Sequence, residues 1–87
     1  MEITVKGLTK LIKEVEQKAI NMSSGYVGLT KDLEIWTYSS EPNPNRNLCG
    51  CSAITTNKED KEWQAIVLYN IIEKIKLGEI EGIKLIK

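Results

Sequence analysis

A chain of 87 residues provides one thin core and leaves no room for a separate catalytic lobe. Twelve Lys and Arg residues balance twelve Asp and Glu residues, which argues against duplex DNA as a partner because DNA affinity depends on a basic surface. Two cysteines are too few for a secreted disulfide scaffold, and no apolar stretch approaches the ~20 residues that span a bilayer. We therefore expect a single domain, residues 1–87, that is cytoplasmic and makes no membrane contact.

The beginning of the chain predicts a short strand followed by an amphipathic helix. Residues 2–6 alternate, with Ile3 and Val5 on one side, and Gly7 is expected to end the strand. Apolar residues then recur at helical spacing within about 100° of arc, and the polar residues between them, Glu16 included, are expected to face water. The apolar positions are Leu8, Leu11, Ile12, Val15, Ala19 and Met22.

Residues 26–39 are rich in β-branched and aromatic residues and are predicted to be extended. Val27, Leu29, Leu33, Ile35 and Thr37 share one side, whereas Tyr26, Glu34, Trp36 and Tyr38 share the other. This alternation fits both a tight hairpin and one long bent strand. Residues 41–47 contain two prolines and are predicted to form a loop, after which residues 51–56 are predicted to form a strand.

The longest apolar run lies in residues 57–77 and predicts a helix. Asn57 is expected to cap its first turn, and Gly78 is expected to close it in the left-handed conformation. Val67, Leu68, Ile71, Ile72 and Ile75 form one broad face that we expect to be core. Trp63, Ile66 and Leu77 lie on a second flank, which is a candidate partner surface. Residues 82–86 are predicted to form a final edge strand.

These elements follow the order βαββαβ. The order is typical of a ferredoxin-like α+β fold, in which two helices cover one face of a small antiparallel sheet. In that arrangement, Tyr26, Trp36 and Tyr38 would lie on the sheet face away from the helices, with nothing to cover them.

The opening residues Ile-Thr-Val-Lys-Gly-Leu-Thr-Lys-Leu-Ile-Lys resemble the start of some tailed-phage tail-completion proteins. Those proteins also begin with a strand, a glycine and an amphipathic helix. The likeness is confined to this segment, and it implies a phage or mobile-element origin without identifying a family.

Cys49-Gly50-Cys51 is the one pattern with thiol or metal chemistry. Two thiols around a glycine could form a strained disulfide or provide two soft metal ligands. A structural zinc site needs four ligands, and the chain has no histidine and no further cysteine, so a closed site would need carboxylates or a second subunit. We expect two free thiols, no metal and no cofactor.

Catalytic patterns are missing from the sequence. There is no histidine, no glycine-rich phosphate loop and no Gly-x-Ser-x-Gly elbow, so we do not expect an enzyme. The first hypothesis is a non-enzymatic protein-binding module, such as a small regulator or inhibitor of a host protein, anchored by Tyr26, Trp36 and Tyr38 or by Trp63 and Ile66. A homodimer through one of these patches is a version of it. The second hypothesis is a single-stranded nucleic-acid or nucleotide binder, in which the three sheet rings stack on bases and Lys31 and Arg46 contact phosphate.

Overall fold

The computed structural model describes residues 1–86, which form a small α+β protein with two helices. The elements in chain order are β1 (Glu2–Thr4), α1 (Val5–Ile20), β2 (Tyr26–Thr30), β3 (Ile35–Tyr38), β4 (Asn47–Ser52), α2 (Lys61–Lys76) and β5 (Lys84–Ile86). The strands form two sheets instead of the single antiparallel sheet that the ferredoxin-like hypothesis requires. β1 pairs in parallel with β5, and β3-β2-β4 form a separate antiparallel sheet.

The expected order βαββαβ misses one strand because residues 26–39 form a hairpin. The backbone N–H of Thr30 donates to the carbonyl of Glu34 at 2.8 Å, and the Thr30 hydroxyl accepts from the N–H groups of Asp32 and Glu34. Leu33 takes a left-handed conformation with φ of 64° at the tip. The hydroxyl of Thr30 therefore holds a turn that alternation alone could not distinguish from a continuous strand.

Helix α1 begins earlier than predicted. The Thr4 hydroxyl accepts from the N–H of Gly7 at 2.9 Å, so Thr4 caps the helix and Gly7 lies in its first turn instead of ending β1. Early capping leaves β1 with only three residues. The predicted apolar face is confirmed, because Leu8, Ile12, Val15 and Ala19 are fully buried.

The second half of the chain is shifted relative to the prediction. Strand β4 begins at Asn47, inside the expected loop, and ends at Ser52 before a turn. Asp60, not Asn57, caps α2, since its carboxylate accepts from the N–H groups of Glu62 and Trp63. The predicted end of α2 is confirmed: Gly78 has φ of 75° and donates its N–H to the carbonyl of Ile75.

Helix α1 lies at the centre of the molecule and contacts β1, both β2 and β4 of the three-stranded sheet, and α2. Its apolar residues pack with Val27 and Leu29 of β2, with Ile71 of α2, and with Ile80 and Ile83 before β5. The prediction that both helices cover one antiparallel sheet is not confirmed, because the strands form two sheets and α2 makes its main contacts with α1 and with β5 of the second sheet. Consequently only Ile71 of the expected core face of α2 is fully buried, and its neighbours on that face are half-buried. Neither helix in residues 1–86 is long and apolar enough to cross a membrane.

Candidate functional site

The outer face of the three-stranded sheet, which points away from α1, carries the aromatic residues singled out in the sequence. Tyr26 lies opposite Tyr38 and Gly28 lies opposite Trp36 in the β2–β3 pair. Because alternate residues of a strand share a face, all four belong to this outer face. Gly50 of β4 lies opposite Gly28 on the other side of β2, so two glycines lie side by side in the middle of the sheet.

The paired glycines let larger groups lie close to the backbone. A Cβ atom on Gly28 would lie 3.0 Å from Cε2 of Tyr38 and 2.7 Å from Oδ1 of Asn47. A Cβ on Gly50 would lie 3.0 Å from Cγ of Pro42. The Tyr38 ring therefore covers Gly28, which is buried, whereas Pro42 approaches one side of Gly50, which stays exposed. The expectation that nothing covers this sheet face is wrong at Gly28 of β2, which lies under the side chains of Tyr38 and Asn47.

Tyr38 is held in place by hydrogen bonds. Its hydroxyl donates to Oδ1 of Asn47 at 3.2 Å, and Nδ2 of Asn47 donates to the carbonyl of Asn43 at 3.0 Å. Tyr26 and Tyr38 are half-buried, whereas Trp36 is 53% exposed. Of the three rings expected to form a binding platform, Trp36 alone leaves most of its surface open to a ligand, and Tyr38 forms the fixed floor beside it.

A cavity of about 730 Å³ lies between the hairpin turn and the proline loop, and we call it the outer groove. This volume is within the range of ~300–1,000 Å³ typical of ligand sites. The groove is lined by Thr30, Lys31, Asp32, Glu34, Trp36, Tyr38, Ser40, Glu41, Asn43, Asn45, Arg46 and Asn47. The groove therefore combines one exposed ring with polar and charged side chains of both signs.

The walls of the outer groove are tied together through the backbone. The N–H of Lys31 in the hairpin turn donates to the carbonyl of Arg46 in the loop at 2.9 Å. Asn43 organises the loop, since its side chain accepts from the N–H of Asn45 at 2.8 Å and its carbonyl accepts from the N–H groups of Arg46 and Asn47. These bonds hold the shape of the groove without a ligand.

The charged side chains of the outer groove are available for binding. Two of them are cationic, Lys31 and Arg46, and three are carboxylates, Asp32, Glu34 and Glu41, so the formal charge of the groove is 2 − 3 = −1. The one ion pair within residues 1–86 joins Lys13 to Glu59 at 3.8 Å, on α1 and before α2. None of the five groove charges is therefore ion-paired within the described chain.

The two other predicted binding residues lie on α2 and do not reach the outer groove. Trp63 is half-buried and packs against the core, whereas Ile66 is 53% exposed. Tyr69 is 64% exposed and Leu77 is 72% exposed on the same helix. Tyr69 was not singled out in the sequence because it was counted only as part of a long apolar run.

Cys49 and Cys51 lie on the opposite face of β4 from Gly50, toward α1, and both are free thiols. Burial, together with the charge of Cys51, raises the pKa of Cys49 from 9.0 to about 12. Burial also raises the pKa of Cys51, whose Sγ lies 3.9 Å from the carbonyl oxygen of Val15. Both thiolates are disfavoured, although a thiol must lose its proton to bind metal or attack a disulfide. Residues 1–86 contain no cluster of three or more potential metal ligands.

Sequence reasoning missed the residues that shape the outer groove, namely Gly28, Gly50, Pro42 and Asn47. One signal was present, because a glycine inside a strand often marks close approach by another group. No protein-family model matches the chain, and no curated protein and no solved structure is significantly similar to it. The geometry of the groove is therefore the basis for the functional argument that follows.

Proposed function

We propose that this protein is a small non-enzymatic protein-binding module and that the outer groove holds a segment of its partner around Trp36. The observation that carries the proposal is the position of Trp36, half-exposed at a concave site whose floor is fixed by the bond between Tyr38 and Asn47. Tryptophan beside a pocket is among the commonest anchors of protein interfaces. A site that is already ordered also loses less entropy when it binds.

The charges of the outer groove favour a protein segment over a polyanion. Lys31 and Arg46 can bind carboxylates of a partner, while Asp32, Glu34 and Glu41 can bind its basic side chains. The exposed amide side chains of Asn43 and Asn45 fit the peptide groups of an extended chain, whereas Asn47 is buried and bonded to Tyr38 and Asn43. A regulator or inhibitor can act by occupying one surface of its target, and such a protein needs a binding site but no catalytic residues.

The test compares Trp36→Ala with a matched control on another surface. Tyr69→Ala removes an aromatic ring of α2 that is 64% exposed, slightly more than Trp36, and lies outside the outer groove. The three proteins are used as bait in lysate of the source cells, and a partner recovered by the wild type is then titrated by calorimetry. We expect Trp36→Ala to weaken binding by about 30-fold or more, as loss of an interface anchor does, and Tyr69→Ala to bind within about threefold of wild type. Equal binding by all three proteins contradicts the proposal.

One observation favours the second hypothesis, a single-stranded nucleic-acid or nucleotide binder. The structure places Trp36, Lys31 and Arg46 in the same groove, which is the combination of stacking ring and cations that such a site uses. The three carboxylates of the groove oppose it because they repel phosphate. Trp63→Phe leaves Trp36 as the sole fluorescent tryptophan. Quenching of Trp36 by short oligonucleotides, reversed by salt, would replace the first proposal; no quenching at low salt removes the second.

A further inference from the structure

Helix α2 exposes an apolar stripe on the side opposite its core contact. Its sole fully buried residue is Ile71, and at about 100° per residue Tyr69 points nearly the opposite way. Ile66 and Ala65 are exposed beside Tyr69, and Ile72 is half-buried at the edge of the stripe. The stripe lies on a different element from the outer groove, so the argument below is independent of the proposed function.

The charges at the two ends of this stripe are placed symmetrically about its centre. Glu62 lies in the first turn of α2 and Lys76 in the last, and each is seven residues from Tyr69. Seven residues are close to two helical turns, or about 10.5 Å, so the three side chains lie on one face with a drift of about 20° per step. Neither Glu62 nor Lys76 forms an ion pair within residues 1–86. Glu73 is half-buried and lies on the same face, about 40° from Tyr69, so the exposed charges in line with Tyr69 are Glu62 at the start of the stripe and Lys76 at its end.

We propose that two copies of this protein associate through α2, with the helices antiparallel and a twofold axis passing near Tyr69. In this arrangement Glu62 of one copy meets Lys76 of the second, and the reverse pair forms at the other end. The twofold axis keeps each side of the stripe on the same side in the partner, so Ala65 of one copy then lies near Ile72 of the other, and Ile66 lies near the side-chain stem of Glu73. A parallel pair would instead place Glu62 beside Glu62 and Lys76 beside Lys76. The charge pattern therefore selects the antiparallel arrangement, in which the helix dipoles are also favourably opposed.

A dimer built on one helix per copy is expected to be weak. Helix α2 has 16 residues and is about 24 Å long, so the shared surface is at the small end of specific interfaces. We expect a dissociation constant of about 10 to 100 μM, which corresponds to the low end of stable association. Sedimentation velocity between about 5 and 500 μM brackets this range and should show the weight-average mass of the wild type rising from monomer toward dimer.

The decisive experiment uses two single charge reversals and their mixture. E62K and K76E should each self-associate about tenfold or more weakly than the wild type, since two attractive pairs become repulsive in each dimer. In the mixture, the E62K copy carries a positive charge at both ends of the stripe, and the K76E copy carries a negative charge at both ends. Both end contacts of the mixed dimer are then attractive. The mixture should therefore recover association close to that of the wild type.

K74E is the matched control for K76E, because it makes the same charge change in the same last turn of α2. Lys74 lies outside the stripe, on the side of the helix that lines a cavity beside the three-stranded sheet. K74E should self-associate as the wild type does, and circular dichroism should show the same helix content in every variant. Y69R, which places two cations at the axis, should be monomeric. A wild type that stays monomeric at ~500 μM overturns the proposal, as does a mixture no more associated than its components. The groove variant Trp36→Ala should dimerise normally, which separates this test from that of the outer groove.

Discussion

The carboxylate of Glu16 on α1 accepts a hydrogen bond from the side-chain amide of Gln64 on α2 at 2.7 Å. The same oxygen, Oε1, accepts from the backbone N–H of Asp60 at 3.1 Å, and Glu16 is only 3% exposed. One carboxylate of the central helix therefore fixes both the start of α2 and its first turn. This polar contact therefore helps to position α2, together with the apolar packing of Ile71 and its half-buried neighbours.

Removing this acceptor should destabilise the protein measurably. Glu16→Ala leaves the donors of Asp60 and Gln64 without their partner, and we expect the free energy of unfolding to fall by about 1.5–3 kcal/mol. Glu16→Gln keeps an acceptor oxygen and should lose about half as much. Glu14→Ala, an exposed glutamate on the same helix, should change stability by less than about 0.5 kcal/mol. Urea unfolding followed by circular dichroism measures all three, and equal losses for Glu16→Ala and Glu14→Ala would contradict the role given to Glu16.

The second prediction concerns the N-cap of α2, which is Asn57 in the expectation from the sequence and Asp60 in the structure. The Asp60 carboxylate accepts from the N–H of Glu62 at 3.0 Å and from that of Trp63 at 3.2 Å. Asp60→Ala should therefore cost about 1 kcal/mol of stability, as removal of a side-chain cap does. Asn57→Ala should be neutral within about 0.5 kcal/mol, since Asn57 lies before the helix begins. Thermal or urea unfolding measures both losses. A larger loss for Asn57→Ala than for Asp60→Ala would show that Asn57 caps the helix, as expected from the sequence.

The sequence predicted α1 well because one strong signal, its apolar face, agrees with its burial. It placed Glu16 in solvent because helical spacing puts that residue outside the apolar arc, and spacing does not show what packs there. The start of α2 was misplaced for a related reason. Asn57 and Asp60 are both good capping residues, and the choice between them depends on the contact of Asp60 with Glu16. That contact joins residues 44 positions apart, which local patterns do not report.

The candidate site was predictable only in part. Alternation placed Tyr26, Trp36 and Tyr38 on one face, and the strand register agrees. Alternation could not show that the proline loop returns over the sheet, because this return depends on two glycines that meet across β2 and β4. The pairing of β1 with β5 could not be predicted from the sequence either. Each strand has only three residues, and the packing of both helices brings the two strands together.

Gly28 should therefore be intolerant of even a methyl group. Gly28→Ala would place a Cβ 2.7 Å from Oδ1 of Asn47 and 3.0 Å from the Tyr38 ring, so both must move and their hydrogen bond should break. We expect a loss of about 1–3 kcal/mol in the free energy of unfolding. In a Tyr38→Ala background the ring is absent, so Gly28→Ala should lower the free energy of unfolding by less. A double-mutant cycle measures this difference. Equal costs in both backgrounds would show that Tyr38 does not lie over Gly28.

The last prediction concerns the pH dependence of stability and the thiol of Cys49. Burial raises the pKa of Cys49 from 9.0 to about 12 in the folded protein, whereas in the unfolded chain the thiol should titrate near 9.0. Below pH 9 both states keep the proton, so the contribution of Cys49 is constant there. Between pH 9 and 12 the unfolded state loses its proton while the folded state keeps it. The free energy of unfolding should therefore fall with rising pH, by at most about 1.4 kcal/mol per pH unit from this group.

Cys49→Ala isolates the contribution of this thiol from every other pH-dependent contribution to stability. The variant should be less stable than the wild type at pH 7, by about 1 kcal/mol for the lost sulfur contacts; this difference should shrink above about pH 9 and change sign before about pH 10.5. Exposed Thr37→Ala on β3 serves as the control and should keep a constant difference from the wild type. Urea unfolding across this pH range supplies the measurement. If the free energies of unfolding of wild type and Cys49→Ala changed in parallel with pH, the thiol would ionise as easily in the folded protein as in the unfolded chain. Cys49 would then be available for the thiol chemistry that its burial opposes.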